Sequence, residues 1–236
     1  MQTAKGVRDI EPQDKILKNQ VLSTIQGVFE LYGFAPLETP ILERFGTLTA
    51  KGGAGQESDA FKEIFRLSDQ GKRKLGLRFD LTVPLCRYIA MNPMLKLPFK
   101  RYEVGRVFRD GPIKLGRYRE FWQCDADVIG TNSMLADAES LAVIDAVFAE
   151  LGLKVVVKVN NRKLLNGILN QAGISRKEEA IITIDKLSKI GEEGVRKELK
   201  EKGFTKKKID RLFSLLVFGS SLKEVKKKIT DEEGLE

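Results

Sequence analysis

Histidine is absent from all 236 residues. That excludes Ser-His-Asp and Cys-His catalysis and any His-ligated metal within this chain. Cysteine is nearly absent as well. Cys86 and Cys124 stand far apart, outside any metal-ligand spacing, so a disulfide framework and a structural zinc site both fit poorly. No run approaches the ~18 apolar residues of a membrane span. The opening Met1–Asp9 lacks the apolar core of a secretion signal. A chain with no membrane role, working in the cytoplasm, is expected. There is no GxxxxGK[ST], and no GxGxxG between a strand and a helix. The cluster Gly52, Gly53 and Gly55 lacks the lysine of a phosphate loop and reads as a substrate lid or a plain loop. Any chemistry must rest on Arg, Lys, Asp, Glu and backbone dipoles, with Mg²⁺ as the available metal.

Basic residues outnumber acidic ones 41 to 33, for a net charge of +8. Such a surplus suits a polyanionic partner, a nucleic acid or a nucleotide. It also suits a solvated Lys/Glu-rich surface. Hydrophobic residues at 42% support a packed core. The charged fraction rises from about a quarter before Ser175 to nearly half after it. A boundary near Gly173 follows, giving domains 1–173 and 174–236.

The first part alternates helical and strand patterns. Pro12 opens an amphipathic helix that Gly33 closes. A short strand over Phe34–Leu37 follows. Phe61–Leu67 and Lys74–Arg78 form a hairpin around Asp69-Gln-Gly-Lys. Asp80 caps a helix through Met91. Phe99–Val104, Val107–Arg109, Glu120–Ile129 and Lys154–Val159 read as strands. Ala136–Leu151 and Arg162–Ala172 read as helices. Hairpins beside helices, without repeated βαβ units, predict an α+β core: an antiparallel sheet flanked by helices. The second part reads as short helices only, Glu178–Leu187, Glu192–Lys202, Thr205–Phe218 and Ser221–Ile229.

The run from Arg101 to Val128 is the most informative. It reads as strands joined by a loop bearing Lys114, Arg117 and Arg119, with Arg109 at a strand end. Gln123, Asp125 and Asp127 alternate and so share one face, while Cys124, Ala126 and Val128 take the other. Carboxylates beside a rim of arginines could hold an amine-bearing substrate next to a phosphate. The same pattern describes a surface hairpin with cross-strand ion pairs.

This run resembles motif 2 of class II aminoacyl-tRNA synthetases, and specifically of histidyl-tRNA synthetases. Lys5-Gly-Val-Arg-Asp, Tyr32-Gly-Phe with Pro40 as in motif 1, Leu77-Arg-Phe-Asp-Leu-Thr-Val-Pro, Gly116-Arg-Tyr-Arg-Glu-Phe-Trp-Gln-Cys-Asp-Ala-Asp and Lys158-Val-Asn-Asn-Arg come in that family's order. The resemblance implies a class II catalytic core with an insertion-like helical domain. It implies ATP and Mg²⁺, histidine and tRNA(His), and a homodimer through motif 1. Arg109 resembles the arginine on the α-phosphate of ATP, and Arg117 the one that reaches the γ-phosphate. Asp80, Thr82 and Gln123 resemble the trio on the amino acid's α-ammonium, and Asp127 the residue that meets the imidazole. Gly111 stands where the family often has an acidic contact to the adenine amino group. Asp110, one position earlier, is the candidate for that contact. Lys114 and Arg119 are candidate tRNA contacts, and Lys206-Lys-Lys and Lys226-Lys-Lys fit an acceptor-stem patch or a solvated helix face.

The family's second histidine motif, Arg-Gly-Leu-Asp-Tyr-Tyr, is not found, nor are motif 3 and the anticodon-binding domain. The resemblance therefore implies correspondence to the N-terminal half of such a ligase, with impaired activity alone. The alternative is a non-catalytic, synthetase-like regulatory subunit of ATP phosphoribosyltransferase. The arginines of the motif 2 loop favour the ligase.

Overall fold

A computed structural model describes residues 1–50 and 59–216. The expected loop over Lys51–Gln56, the helix over Ser221–Ile229 and the patch Lys226–Lys228 lie outside the described residues, as does the end of the Thr205–Phe218 helix. The chain divides into two compact units, Met1–Val155 and one from Val156 onward.

In the first unit, α1 (Pro12–Leu31) starts at proline, whose missing N–H costs nothing in a first turn. It stops at Tyr32 and Gly33, where φ is 75°. The chain then enters β1 (Ala35–Pro36), β2 (Leu42–Arg44), α2 (Phe45–Thr49) and α3 (Asp59–Lys62). Next come β3 (Arg66–Ser68), β4 (Lys74–Leu77), α4 (Thr82–Met91), β5 (Phe99–Phe108), β6 (Glu120–Ile129) and α5 (Met134–Glu150). The expected hairpin is present as β3 and β4, although Phe61 lies in α3. Its turn closes on Asp69, whose carboxylate accepts the Arg73 N–H at 2.9 Å. Asp80 caps α4 as expected, accepting the Val83 N–H at 2.9 Å.

Two three-stranded sheets result, β2-β4-β3 and β1-β5-β6. The first is antiparallel throughout. The second departs from the expected antiparallel sheet, because β1 runs parallel to β5. The cause lies just beyond β1. Thr39 donates its N–H and its hydroxyl to the Glu103 carboxylate at 3.1 and 3.0 Å, which draws this segment along β5. The two strands expected at Phe99–Val104 and Val107–Arg109 are one continuous β5. Gly105 does not break it. A Cβ at Gly105 would overlap the Arg78 guanidinium, so the glycine leaves that side chain room to lie across the strand.

β5 and β6 pair from Phe99↔Ile129 to Phe108↔Glu120, and the period of two divides their side chains. One face, with Tyr102, Val104, Cys124, Ala126 and Val128, packs on Phe29, Phe34, Val143 and Val147 of α1, α5 and the turn after α1. The Tyr102 hydroxyl donates to Glu30 at 2.6 Å, and this bond pushes its pKa up to about 12. The other face carries Arg101, Glu103, Gln123, Asp125 and Asp127. Arg78 reaches onto it, its side chain 4% exposed. It donates to Glu103 at 2.6 Å, to the Thr39 carbonyl at 2.7 Å and to the Arg106 carbonyl at 2.8 Å.

The second unit is helical as far as it is described: α6 (Arg162–Gln171), α7 (Lys177–Ile184), α8 (Leu187–Glu201) and α9 (Lys206–Leu216). Asn161 caps α6 by accepting two backbone N–H groups. Leu165, Ile168 and Leu169 of α6 share a buried cluster with Ile181, Leu199, Leu212 and Phe213. The boundary therefore falls at Val155/Val156 and not near Gly173, because α6 packs with the helices after it. The charge shift used to place the boundary marks the surface of those helices, not their core. The strand expected over Lys154–Val159 has no pairing partner among the described residues, and its valines are exposed. Valine-rich sequence favours an extended chain, but a strand exists only through its partner. Among the described residues, no helix is long and apolar enough to cross a membrane.

Replacing Arg78 by Met should strand the buried Glu103 carboxylate and cost about 3 kcal/mol, the scale of breaking a buried ion pair from one side. Urea unfolding followed through Trp122, the chain's single tryptophan, measures it. A loss under about 1 kcal/mol, the scale of an exposed pair, would show that the pair contributes little.

Candidate functional site

The site is built on the charged face of β5 and β6 and on the stretch Arg78–Thr82 that crosses it. Arg78 is fixed first: its carbonyl accepts the Phe108 N–H at 2.9 Å, and its guanidinium is buried on Glu103. The next residues are thereby held against β5. The Phe79 carbonyl accepts from Arg109 Nε at 3.1 Å, and the Leu81 carbonyl accepts from Arg101 Nη2 at 2.9 Å. Asp80 lies between them and Thr82 opens α4. One short segment thus joins an arginine at the end of β5 to the acidic face of the sheet.

On that face Arg101 is fully buried. Its Nη2 lies 3.0 Å from Asp127 Oδ2, a charge contact without hydrogen-bond alignment. Its Nη1 lies 3.7 Å from Glu103. Gln123 sits opposite Gly105, with its carbonyl oxygen buried and without a partner. Asp125 faces Glu103 across the pair. Burial, then the Asp127 carboxylate, push Asp125 above the usual carboxylate range, while Arg101 pulls it back. Four carboxylates, of Asp80, Glu103, Asp125 and Asp127, thus share the face with the guanidiniums of Arg78 and Arg101. That balance favours a cationic ligand.

At the other end of β5, a cleft of about 280 Å³ is lined by Arg109, Gly111, Pro112, Gly116, Arg117, Tyr118 and Phe121. The Arg109 guanidinium lies 5.0 Å over the Phe121 ring. Two arginines and two aromatic rings suit an anion carried on a planar group. The loop Asp110–Arg119 is tied at its base. Arg109 N–H donates to the Arg119 carbonyl and Arg119 N–H to the Gly6 carbonyl, both at 2.8 Å. Arg117 forks onto the Glu63 carboxylate at 3.0 and 3.2 Å.

The sequence candidates therefore fall into two sets. Asp80, Thr82, Gln123 and Asp127 belong to the acidic face, and Arg109 and Arg117 to the cleft. Asp110 is engaged within the loop, its carboxylate 3.0 Å from Arg119 and its N–H on the Glu63 carbonyl at 2.7 Å. Arg119 is half-occupied by that pairing, whereas Lys114 is exposed. Sequence reasoning missed Arg78, Arg101 and Glu63. Arg101 and Glu103 follow the same alternation that grouped Gln123, Asp125 and Asp127, so that signal was available. Glu63 carries no local signal, because its partners lie some fifty residues away.

A carboxyl raised in the folded chain keeps its proton to a higher pH than in the unfolded chain. The folded state therefore loses stability as pH rises across that window. Asp125→Asn should flatten the loss and stabilise the ligand-free chain above the window. Urea unfolding between about pH 4 and 7, a range starting near the ordinary carboxylate pKa, tests this; an unchanged pH slope would assign the loss to other groups.

Residues 6–235 match the family described as histidyl-tRNA synthetase. Histidine–tRNA ligase 1 of Bacillus cereus is 47% identical over 214 residues, covering 90% of this chain and 50% of that protein. The chain thus spans about half the length of the curated relatives it matches. A histidyl-tRNA synthetase structure from Nostoc superposes with a TM-score of 0.84 at 34% identity, over 98% of this chain and 52% of that one. A structure titled as an ATP phosphoribosyltransferase regulatory subunit/histidyl-tRNA synthetase, from Bacillus halodurans, reaches a TM-score of 0.79 at 23% identity, over 97% of this chain and 59% of that one. On this match of sequence and fold, the chain belongs to the histidyl-tRNA synthetase family.

Proposed function

We propose that this chain supplies the first half of a histidine–tRNA ligase catalytic domain, in which ATP activates histidine to histidyl-adenylate for transfer to tRNA(His). The observation that carries the reading is the segment Phe79–Leu81. It ties Arg109 to Arg101 through its two carbonyls and sets Asp80 between a cationic cleft and an acidic face. In the reaction a histidine carboxylate oxygen attacks the α-phosphorus, the bond to pyrophosphate breaks, and no proton need move. Positioning and charge neutralisation carry such a step. Arg109 holds an α-phosphate oxygen, and Arg117 exchanges Glu63 for the terminal phosphate. Asp80, Thr82 and Gln123 take the ammonium, and Asp127 accepts a ring N–H. In the second step the terminal tRNA hydroxyl attacks the adenylate carbonyl, its proton passes to a departing phosphate oxygen, and AMP leaves. A phosphate-rich partner suits the exposed Lys114 and, separately, the exposed Lys206 and Lys207.

The described residues hold no group of three His, Cys, Asp or Glu side chains that could cage a metal. The donor set fits an ion that enters on the triphosphate, with Asp80 or Asp110 able to add a ligand. Mg²⁺ would there neutralise phosphate charge. A homodimer is supported by the apolar side chains left exposed beside Pro40, those of Ile41 and Leu42. The cytoplasm, where ATP and tRNA are supplied together, is the compartment this reading assigns. The regulatory-subunit reading has less support, since the relative bearing that title shares the fold at 23% identity.

Histidine-dependent pyrophosphate exchange tests the reading, measured with and without the remaining half of the ligase supplied as a separate fragment. Exchange should rise by orders of magnitude when that half is present. Arg109→Ala should slow it roughly 10²–10³-fold, as for loss of one preorganised charge stabiliser. A drop under about tenfold, equivalent to 1.4 kcal/mol, would move the α-phosphate contact to another residue. Asp127→Ala should weaken histidine far more than ATP; equal weakening would remove Asp127 from the ring site.

A further inference from the structure

Arg101 has no solvent exposure, yet it is not spent on a single partner. Nη2 faces two oxygens at once, the Leu81 carbonyl at 2.9 Å and Asp127 Oδ2 at 3.0 Å. Leu81 is the residue between Asp80 and Thr82, so the two halves of the acidic face meet on one nitrogen. Nε and Nη1 have no hydrogen-bond partner among the described residues, and neither do Asp127 Oδ2 and the Gln123 side-chain oxygen. Buried polar atoms left unpaired are costly and uncommon. Four of them gathered on one face mark a place that a polar ligand completes. A buried guanidinium is rigid and planar, and it fixes the spacing of the groups it bridges in a way a flexible ammonium would not.

We infer that Arg101 is a positioning residue that sets the distance between the ammonium-binding segment Asp80–Thr82 and the ring-binding carboxylate of Asp127, so that the site accepts an amino acid of histidine's reach. Arg101 acts through Leu81 and Asp127, without touching the reacting atoms. This rests on the function proposed above and deepens it.

Titration calorimetry with histidine and with ATP, each alone, on the chain supplemented with the remaining half of the ligase tests the inference. Arg101→Lys keeps the charge, but its shorter, flexible stem does not hold the two oxygens at a fixed spacing. It should weaken histidine at least tenfold and leave ATP within twofold. In an Asp127→Asn background the same change should cost histidine less than twofold, because residues acting as one unit are not additive. Retention of histidine affinity within twofold in Arg101→Lys overturns the inference and leaves the function standing. So does equal weakening of ATP and histidine. ATP binding with no saturable histidine binding by the unsubstituted chain, supplemented with the remaining half of the ligase, overturns the function, and the inference with it. Should Arg101→Lys lose its native Trp122 emission, the guanidinium ¹⁵N–¹H signals of the unsubstituted chain decide. The Arg101 Nε–H resonance should shift with histidine and not with ATP; a resonance unmoved by saturating histidine overturns the inference.

Discussion

A guanidinium sealed from water has to find its partners inside the protein, and Arg78 finds them on two separate pieces of chain. It binds the segment after β1 through Thr39, the middle of β5 through Glu103, and the backbone of β5 again at Arg106. Few side chains could do this. The reach of arginine and its fan of donors let one residue serve carbonyls and a carboxylate together. The site depends on this junction. Once Arg78 is fixed, Phe79, Asp80 and Leu81 have no freedom to leave β5, and their carbonyls become the anchors for Arg109 and Arg101. The missing side chain of Gly105 is the other half of the junction, since it is the space in which the guanidinium lies.

The pair β5–β6 does two jobs by alternation alone. Every second residue packs into an apolar cluster with α1 and α5, which supplies rigidity through burial. The residues between them form a face dominated by charged side chains. Their charges are held close because the strands beneath them cannot move. Asp125 shows what this arrangement entails. Its carboxyl is pressed toward the protonated form by burial and by its neighbour Asp127, a tension that a bound cation would relieve.

Much of this was legible in the sequence wherever the signal was local. The helix from Pro12, the hairpin around Asp69, the Asp80 cap and the split of Gln123, Asp125 and Asp127 from Cys124, Ala126 and Val128 all follow from neighbours within a few residues. What failed to show depended on distance. The parallel pairing of β1 is set by Thr39 meeting Glu103, 64 residues on. The Lys154–Val159 run has the composition of a strand, but pairing is a property of two segments and composition describes one. The unit boundary was misplaced because charge reports on surfaces, whereas α6 joins its unit through Leu165, Ile168 and Leu169 inside. In the site, resemblance reached Arg109 and Asp127. The residues that hold them, Arg78 and Arg101, look in the sequence like two more members of a basic surplus.

The fork between Arg117 and Glu63 makes the cleft an ion exchanger with its own built-in counter-ion. An anion arriving at Arg117 gains a guanidinium only by evicting a carboxylate already in place, so what counts is the difference between two ion pairs, not the strength of one. Singly charged anions gain little from that trade, whereas a doubly charged terminal phosphate gains more. A cleft built this way would favour the visitor of higher valence. The eviction also leaves Glu63 as a freed negative charge at the rim, able to receive whatever hydrogen-bond donor the newcomer brings with it.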